Sequence, residues 1–332
     1  MENEKARLNL VYYAVVIALL LTSIVINYVA DYMSSNQVTY VFTTLSQIVC
    51  MFILPVTLYF TTIKGKASVR GILDDFGFKR FKKGELIKVI ALGFIAIYVN
   101  TCFAQVNAGF LSLIGYKYSS SASTDYLANG WLVVLDLFMT ALLPAICEET
   151  AHRGLFRVSY RFEPVKYILL SSLMFSLMHQ NIAQVFYTFM MGLFFASAVV
   201  FTGNIKASMI MHFMINATEV LNDFGAQIGS TVLASKRVFF SLLYSSVIGR
   251  IFSVVLAFVG IYFFIKILMS FRKEDYEKQS IREFPSSIQT GVLKKDGFLT
   301  IKANGVSKAI MTATIFIGVC CNIFTLTWGL LR

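Results

Sequence analysis

Charged residues are scarce in this chain: they fill 14% of its 332 positions, against roughly 25% in ordinary soluble domains. With 57% of the residues hydrophobic, a water-soluble fold would have to hide more apolar surface than it could cover, and that class is excluded. The five cysteines (Cys50, Cys102, Cys147, Cys320 and Cys321) all fall in or beside apolar runs, so no disulfide framework is expected. Internal repeats and low-complexity tracts are missing, which disfavours a repeat-built transporter. The net charge of +11 comes with no RNA- or DNA-binding motif, so nucleic acid is not expected as a partner. The first apolar run, 10–30, is longer than a signal-peptide core and has no small-x-small cleavage site after it, so it reads as a retained anchor.

What the chain does have is apolar runs of membrane-crossing length, about 20 residues each for a hydrocarbon layer of roughly 30 Å. Hydropathy places spans near 9–30, 41–63, 86–115, 131–158, 165–181, 184–202, 204–222, 250–271 and 309–331. The expected fold is all-α, a polytopic transmembrane bundle of eight or nine spans with a catalytic core of four helices. The count turns on 238–249, an apolar stretch followed by Arg250 that reads as an interfacial helix, a re-entrant piece or part of a longer tilted span. Lysine and arginine collect in alternate loops, above all between Lys64 and Lys88 and between Arg272 and Lys308, while the opposite loops hold only Lys117, Lys236, Arg237 and Arg250. This bias predicts a multi-pass cell-membrane protein with its N-terminus in the cytoplasm, and its basic loops suit anionic lipid headgroups. The chain divides into N-terminal helices with a basic cytoplasmic loop at 64–88 (1–130), a core (131–222), and C-terminal helices with a cytoplasmic loop or small appended structure at 272–307 (223–332).

Ionisable groups inside a membrane are costly and call for a partner or a function. Of 18 acidic residues, only Glu148 and Glu149 lie well inside an apolar stretch, while Asp136 and Glu219 lie nearer span ends and read as interfacial. All three histidines, His152, His179 and His212, fall in the same central region. Three spacings stand out: Glu148-Glu149-x-x-x-Arg153, Phe175-x-x-x-His179 and His212-x-x-x-Asn216. Residues four apart share a helix face, so Glu149 can pair with Arg153, Phe175 can lie under His179 and Asn216 beside His212, while Glu148 points about 100° from Glu149. Counted from the basic ends, Glu148, His179 and His212 reach comparable depths of roughly 12–20 Å. The helix carrying Glu148 must tilt, run long or begin below the surface to reach that level from Trp131.

A glutamate and a histidine desolvated together can take a proton from water and return it to a leaving amine. A histidine and an asparagine can donate to the oxyanion of a tetrahedral intermediate, each donor being worth roughly 3 kcal/mol of barrier in a dry site. Asn100, Gln105 and Asn107 make the third span polar enough to line a cavity, and interhelical hydrogen bonds account for them equally well. Cys147, beside Glu148, is a thiol in an apolar setting and reads as inert.

The three motifs together resemble the CAAX-protease and bacteriocin-processing (CPBP, or Abi) family of intramembrane endopeptidases. The resemblance covers about 131–222 and is supported by Asn181, Gln184, Gly192 and Thr202-Gly203. It implies that Glu148 and His179 activate water, that His212 and Asn216 stabilise the oxyanion, and that Glu149 with Arg153 holds the site together. The catalytic class in this family is argued between a glutamate-type and a metal-dependent mechanism. No cofactor is required by the first, and the second implies a divalent ion such as zinc on Glu148, His179 and His212. His152 departs from the pattern, in a place more often apolar or aromatic, and can either add a ligand or hydrogen-bond Glu149. The implied substrate is a hydrophobic or membrane-associated peptide or membrane protein. A non-proteolytic scaffold or bacteriocin self-immunity protein of the same family is the alternative, and a proton-coupled transporter using the same groups as a relay is a third reading.

Overall fold

In the computed structural model of the chain, residues 2–33, 35–61, 69–117, 124–160, 163–277 and 305–331 are described. Every regular element among them is helical. The first rod is α1 (Glu2–Val29). The second is interrupted: α2 (Ser35–Thr43) runs into wide turns at Thr44–Ile53 and continues as α3 (Leu54–Tyr59). A short α4 (Val69–Phe76) precedes the long α5 (Lys83–Leu113). The fourth rod is broken twice, α6 (Leu132–Asp136) and α7 (Leu143–Glu149) being separated by wide turns at Leu137–Leu142, and α7 and α8 (Phe156–Tyr160) by wide turns at Thr150–Leu155. Then follow α9 (Pro164–Met178), α10 (Ile182–Thr202), α11 (Lys206–Gln227), α12 (Ser235–Tyr244), α13 (Val247–Glu277) and α14 (Gly305–Leu331).

The wide turns have identifiable causes. Pro55 and Pro144 each stand at the start of a regular segment just after a wide one, where the missing N–H and the ring's clash with the preceding turn prevent an ordinary helix from continuing. Thr44, Thr140 and Thr150 each donate a side-chain hydrogen bond to the carbonyl four residues back, at 2.7 or 2.8 Å, which loosens the backbone ladder at that turn. Glu148 and Glu149 therefore sit on a short regular segment with a widened turn on either side.

Among the described residues, six helices are long and apolar enough by themselves to cross a membrane: Leu8–Ile26, Tyr40–Tyr59, Lys83–Leu113, Ile182–Thr202, Val247–Phe271 and Ala309–Trp328. The other three expected spans exist as helices, and they are the ones that carry the candidate residues. The fourth rod is fragmented, α9 is 15 residues long, and α11 has the low mean hydropathy that His212, Asn216, Glu219 and Asp223 bring with them. The uncertain stretch at 238–249 falls in α12 and the start of α13, divided at Ser245–Ser246. This excludes one long tilted span: Phe240 of the short α12 is buried against Tyr98 and Tyr244.

Lipid tails are as apolar as leucine, so close packing and hydrogen bonds hold such a bundle together. α9 lies along α10, and both α10 and α11 pack on α5. α9 and α10 approach closely at Gly192, where an added Cβ would come 2.8 Å from the Cα of Ser172. α1 packs on α14 at one side of the bundle. At the basic end, α4 buries Ile72 and Phe76, the Phe76 ring meeting Tyr59 at 5.2 Å. Asn204 ties the following turn down by donating to the Lys79 carbonyl at 3.1 Å and accepting from the Lys79 N–H at 3.3 Å. Gly203, in left-handed conformation (φ 62°) at the end of α10, offers its carbonyl to Arg157 at 3.1 Å. The basic stretch expected as a loop at 64–88 thus contains a docked helix. Its residues 64–68 lie outside the described residues, as does most of the loop expected at 272–307.

Candidate active site

Phe175 is the centre of the site. Its ring lies edge-on to all three imidazoles, with centroid separations of 4.9 Å to His179, 5.3 Å to His152 and 5.6 Å to His212. The guanidinium of Arg153 covers the same ring at 4.4 Å. The Phe175-x-x-x-His179 spacing places the two rings on one face of α9, and the other groups come from the fourth rod and α11. Phe195 of α10 closes the far side, stacked on His212 at 5.2 Å.

Glu149 and Arg153 form the expected pair, Nη1 donating to Oε1 at 2.9 Å with both side chains fully buried. The same carboxylate oxygen accepts from Nδ1 of His212 at 3.0 Å, a contact the motif spacings do not show. Arg153 also donates through Nη2 to the Gly192 carbonyl at 3.3 Å, so the glycine that lets α9 and α10 approach also exposes an acceptor for the buried arginine. Glu149 thus ties the fourth rod to α11, and Arg153 ties it to α10.

His179 caps the C-terminal end of α9, directly after Met178. Gln180 follows with φ 51°, the one positive value at a non-glycine among the described residues. Asn181 then caps α10, its side chain accepting from the Ala183 N–H at 3.0 Å. A left-handed residue in this turn costs local strain, and it ends α9 at His179. Nδ1 of His179 donates to the Phe175 carbonyl at 2.8 Å. A carbonyl can only accept, so the proton of the neutral ring is on Nδ1 and the lone pair of Nε2 is free. Likewise Nδ1 of His212 donates to Glu149, and its Nε2 is turned away from that pair.

Glu148 is half-buried. Its Oε1 accepts from Nε2 of Gln47 at 2.7 Å, and its Oε2 is buried with no hydrogen-bond partner among the described residues. Asn216 is half-buried one turn beyond His212. The exposures divide the cluster: Glu148, His179 and Asn216 retain access, whereas Glu149, Arg153 and His152 are 0–1% exposed and His212 5%.

His152 does not reach Glu149. Its Nδ1 meets the Tyr12 hydroxyl of α1 at 2.6 Å, a tie across 140 positions. Among the described residues no group of three His, Cys, Asp or Glu side chains is placed to hold a metal ion. The candidate set Glu148, His179 and His212 does not converge as a cage, so the residues as arranged do not fit the divalent ion.

Asp136, expected at the interface, is 4% exposed. It accepts from the Tyr40 and Tyr126 hydroxyls at 2.9 and 2.7 Å, two phenols shielding a carboxylate that hydropathy alone puts at the edge of a span. Glu219 pairs with Lys236 and, with Gln105, Asp223 and Arg237, lines a cleft of about 460 Å³ between α5, α11 and α12. Asn107 donates to the Ala183 carbonyl at 2.6 Å. The polar third span therefore serves both readings, a cavity wall at Gln105 and an interhelical bond at Asn107. Cys147 is a buried free thiol.

Sequence reasoning missed Gln47 and Tyr12. Each is a polar residue in an apolar run far from the motifs, and a census of ionisable groups alone passes over both. Counting buried amides and phenols along with the acids would have raised Gln47.

A helical membrane bundle with three imidazoles and a guanidinium gathered round one aromatic ring, and with two adjacent carboxylates on the rod that carries the guanidinium, defines the class of protein. Within it, residues 130–218 match the family described as Type II CAAX prenyl endopeptidase Rce1-like. The match supports the CAAX-protease family that the motifs resemble and, at family level, a membrane endopeptidase. It contains Glu148, His179, His212 and Asn216 and leaves Tyr12 and Gln47 outside. No curated protein and no solved structure matches the chain.

Proposed function

We propose that the chain is an intramembrane endopeptidase that hydrolyses a peptide bond of a hydrophobic or membrane-associated peptide with a water activated by Glu148 and His179. The observation that supports this reading is the graded exposure of the cluster: Glu148, His179 and Asn216 are half-buried, His212 is 5% exposed, and Glu149, Arg153 and His152, assigned to support, are shut away.

Glu148, or His179 through its free Nε2, takes a proton from water as the water oxygen bonds to the scissile carbonyl carbon. The carbonyl oxygen becomes an oxyanion, and the Asn216 amide and Nε2 of His212 donate to it. Nε2 of His212 donates when the ring carries both protons, and Nδ1 then still faces the Glu149 carboxylate. As the C–N bond breaks, the proton first taken from water passes to the leaving nitrogen. Phe175 and Phe195 fix the ring planes, and Glu149 with Arg153 fixes the distance between the fourth rod and α11.

The lysine and arginine bias supports a cytoplasmic N-terminus, access from the basic end, and contact of that end with anionic lipids. Comparative membrane peptidomics of cells carrying the wild type and Glu148→Gln tests the reading and finds the substrate together. A set of peptides lost in the variant, with its precursors accumulating, is the expected result. Identical profiles would overturn the reading.

A further inference from the structure

Gln47 lies in the wide-turn segment of the second rod, outside the family match, and it touches the candidate base directly. Nε2 donates to Oε1 of Glu148 at 2.7 Å. The outer oxygens of the same two side chains, Oε1 of Gln47 and Oε2 of Glu148, are both buried and both lack a hydrogen-bond partner among the described residues. Buried acceptors of this kind are uncommon, and each asks for a donor. Two acceptors on two joined side chains suit a small species with two donors, which is what a water molecule is.

We infer that Gln47 is a positioning residue of the hydrolytic site, holding Glu148 through its amide N–H and completing with its carbonyl oxygen the seat of the water that Glu148 activates. The inference rests on the endopeptidase reading above. In the attack, one O–H bond of the water breaks and its proton goes to Glu148 while the oxygen bonds to the carbonyl carbon. The other hydrogen stays on that oxygen, held by Oε1 of Gln47. A carboxylate with one oxygen pinned presents the other in a fixed direction, and such alignment accounts for a large part of the barrier lowering in positioned reactions.

The local fold explains why Gln47 can do this. An α-helix with Pro55 ahead would carry Gln47 on an undisturbed stripe. The widened turns of Thr44–Ile53 change that phase; Ser46 and Cys50 beside it are buried, Cys50 in a cluster with Met139, Leu143 and Cys147 of the fourth rod. The second rod packs on α7 along this length.

The test uses the purified full chain in lipid vesicles with a hydrophobic peptide library that includes prenylated Cys-aliphatic-aliphatic-X termini, cleavage being read by mass spectrometry and kinetics taken on the best-cleaved member. Gln47→Leu is expected to lower kcat by about 10- to 100-fold, the range of a positioned catalytic group, with KM changed less than about twofold. Gln47→Asn, which keeps both polar groups, is expected to recover part of the rate. In the Glu148→Gln background, Gln47→Leu should cause no further loss, because the two act as one unit. Wild-type kcat in Gln47→Leu beside an inactive Glu148→Gln overturns this inference alone. So does a loss of the same size in both backgrounds, or one that tracks a fall in melting temperature and is not relieved by Gln47→Asn. Wild-type cleavage by Glu148→Gln overturns Glu148 as the base, and this inference with it, whereas no cleavage of any library member by the wild type overturns the endopeptidase assignment.

Discussion

The guanidinium carbon of Arg153 lies 4.4 Å from the centroid of the Phe175 ring, with Glu149 on one side of it and the Gly192 carbonyl on another. A buried cation is costly unless its charge is compensated, and here an anion, an aromatic face and a backbone carbonyl from three elements surround it, Nη1 and Nη2 being bonded and Nε lacking a hydrogen-bond partner among the described residues.

Removing only the cation should therefore be far worse than removing the pair. Arg153→Met leaves the Glu149 carboxylate buried beside His212 and is expected to cost about 3–5 kcal/mol. Adding Glu149→Gln should recover a large part of that loss, since no charge then remains uncompensated. Thermal unfolding of the single and double variants in detergent measures the coupling, and strictly additive losses would contradict the buried-pair account.

Tyr12 offers a contrast, because its bond to His152 joins α1 to the fourth rod without touching Glu148 or His179. Tyr12→Phe leaves one buried imidazole nitrogen without its partner, at an expected cost of about 1–3 kcal/mol. On the proposed function, kcat in Tyr12→Phe should stay within about twofold of wild type once the protein is folded. A tenfold loss of kcat with unchanged melting temperature would instead move His152 into the chemistry.

These two residues also mark how far the sequence could be read. Apolar runs located the helices, and the rarity of acids and histidines in them located Glu148, Glu149, His179 and His212, because a charge in lipid stands out against its neighbours. Glu149 with Arg153 was legible because a four-residue spacing is a local fact of helix geometry. The bond of Glu149 to His212 spans 63 positions and that of Tyr12 to His152 spans 140, and no spacing rule reaches across rods. The breaks in the fourth rod went unread because they arise from Pro144 and the back-bonded Thr140 and Thr150 acting together, none of which interrupts hydropathy. The burial of Asp136 went unread for a related reason: its two phenol partners come from separate segments.

At Gly192 the prediction is steric. Gly192→Ala would press a methyl to within 2.8 Å of the Ser172 Cα, a backbone atom that no rotamer change can move. The expected cost is about 1–3 kcal/mol from overpacking, with a further loss of activity as the carbonyl bonded to Arg153 shifts. Melting temperature and cleavage rate should fall together. Retention of both would mean that α9 and α10 separate more easily than their packing implies.

The imidazoles of His179 and His212 separate catalysis from scaffolding. His179 and His212 each spend Nδ1 on a local acceptor and keep Nε2 for whatever enters the site, an arrangement that a purely structural histidine, satisfied at either nitrogen, would not need. A His179→Ala, His212→Ala double variant removes both free nitrogens and leaves the Glu149–Arg153 pair intact. It is expected to accumulate in the membrane at near wild-type levels and to lose cleavage by at least about 1,000-fold, the effect of two groups worth 10²–10⁴ each when they act partly as a unit. The decisive comparison is complementation of a deletion strain: a null phenotype with normal protein levels supports hydrolysis, and full rescue would show that the chain works by binding a peptide or membrane protein without cutting it.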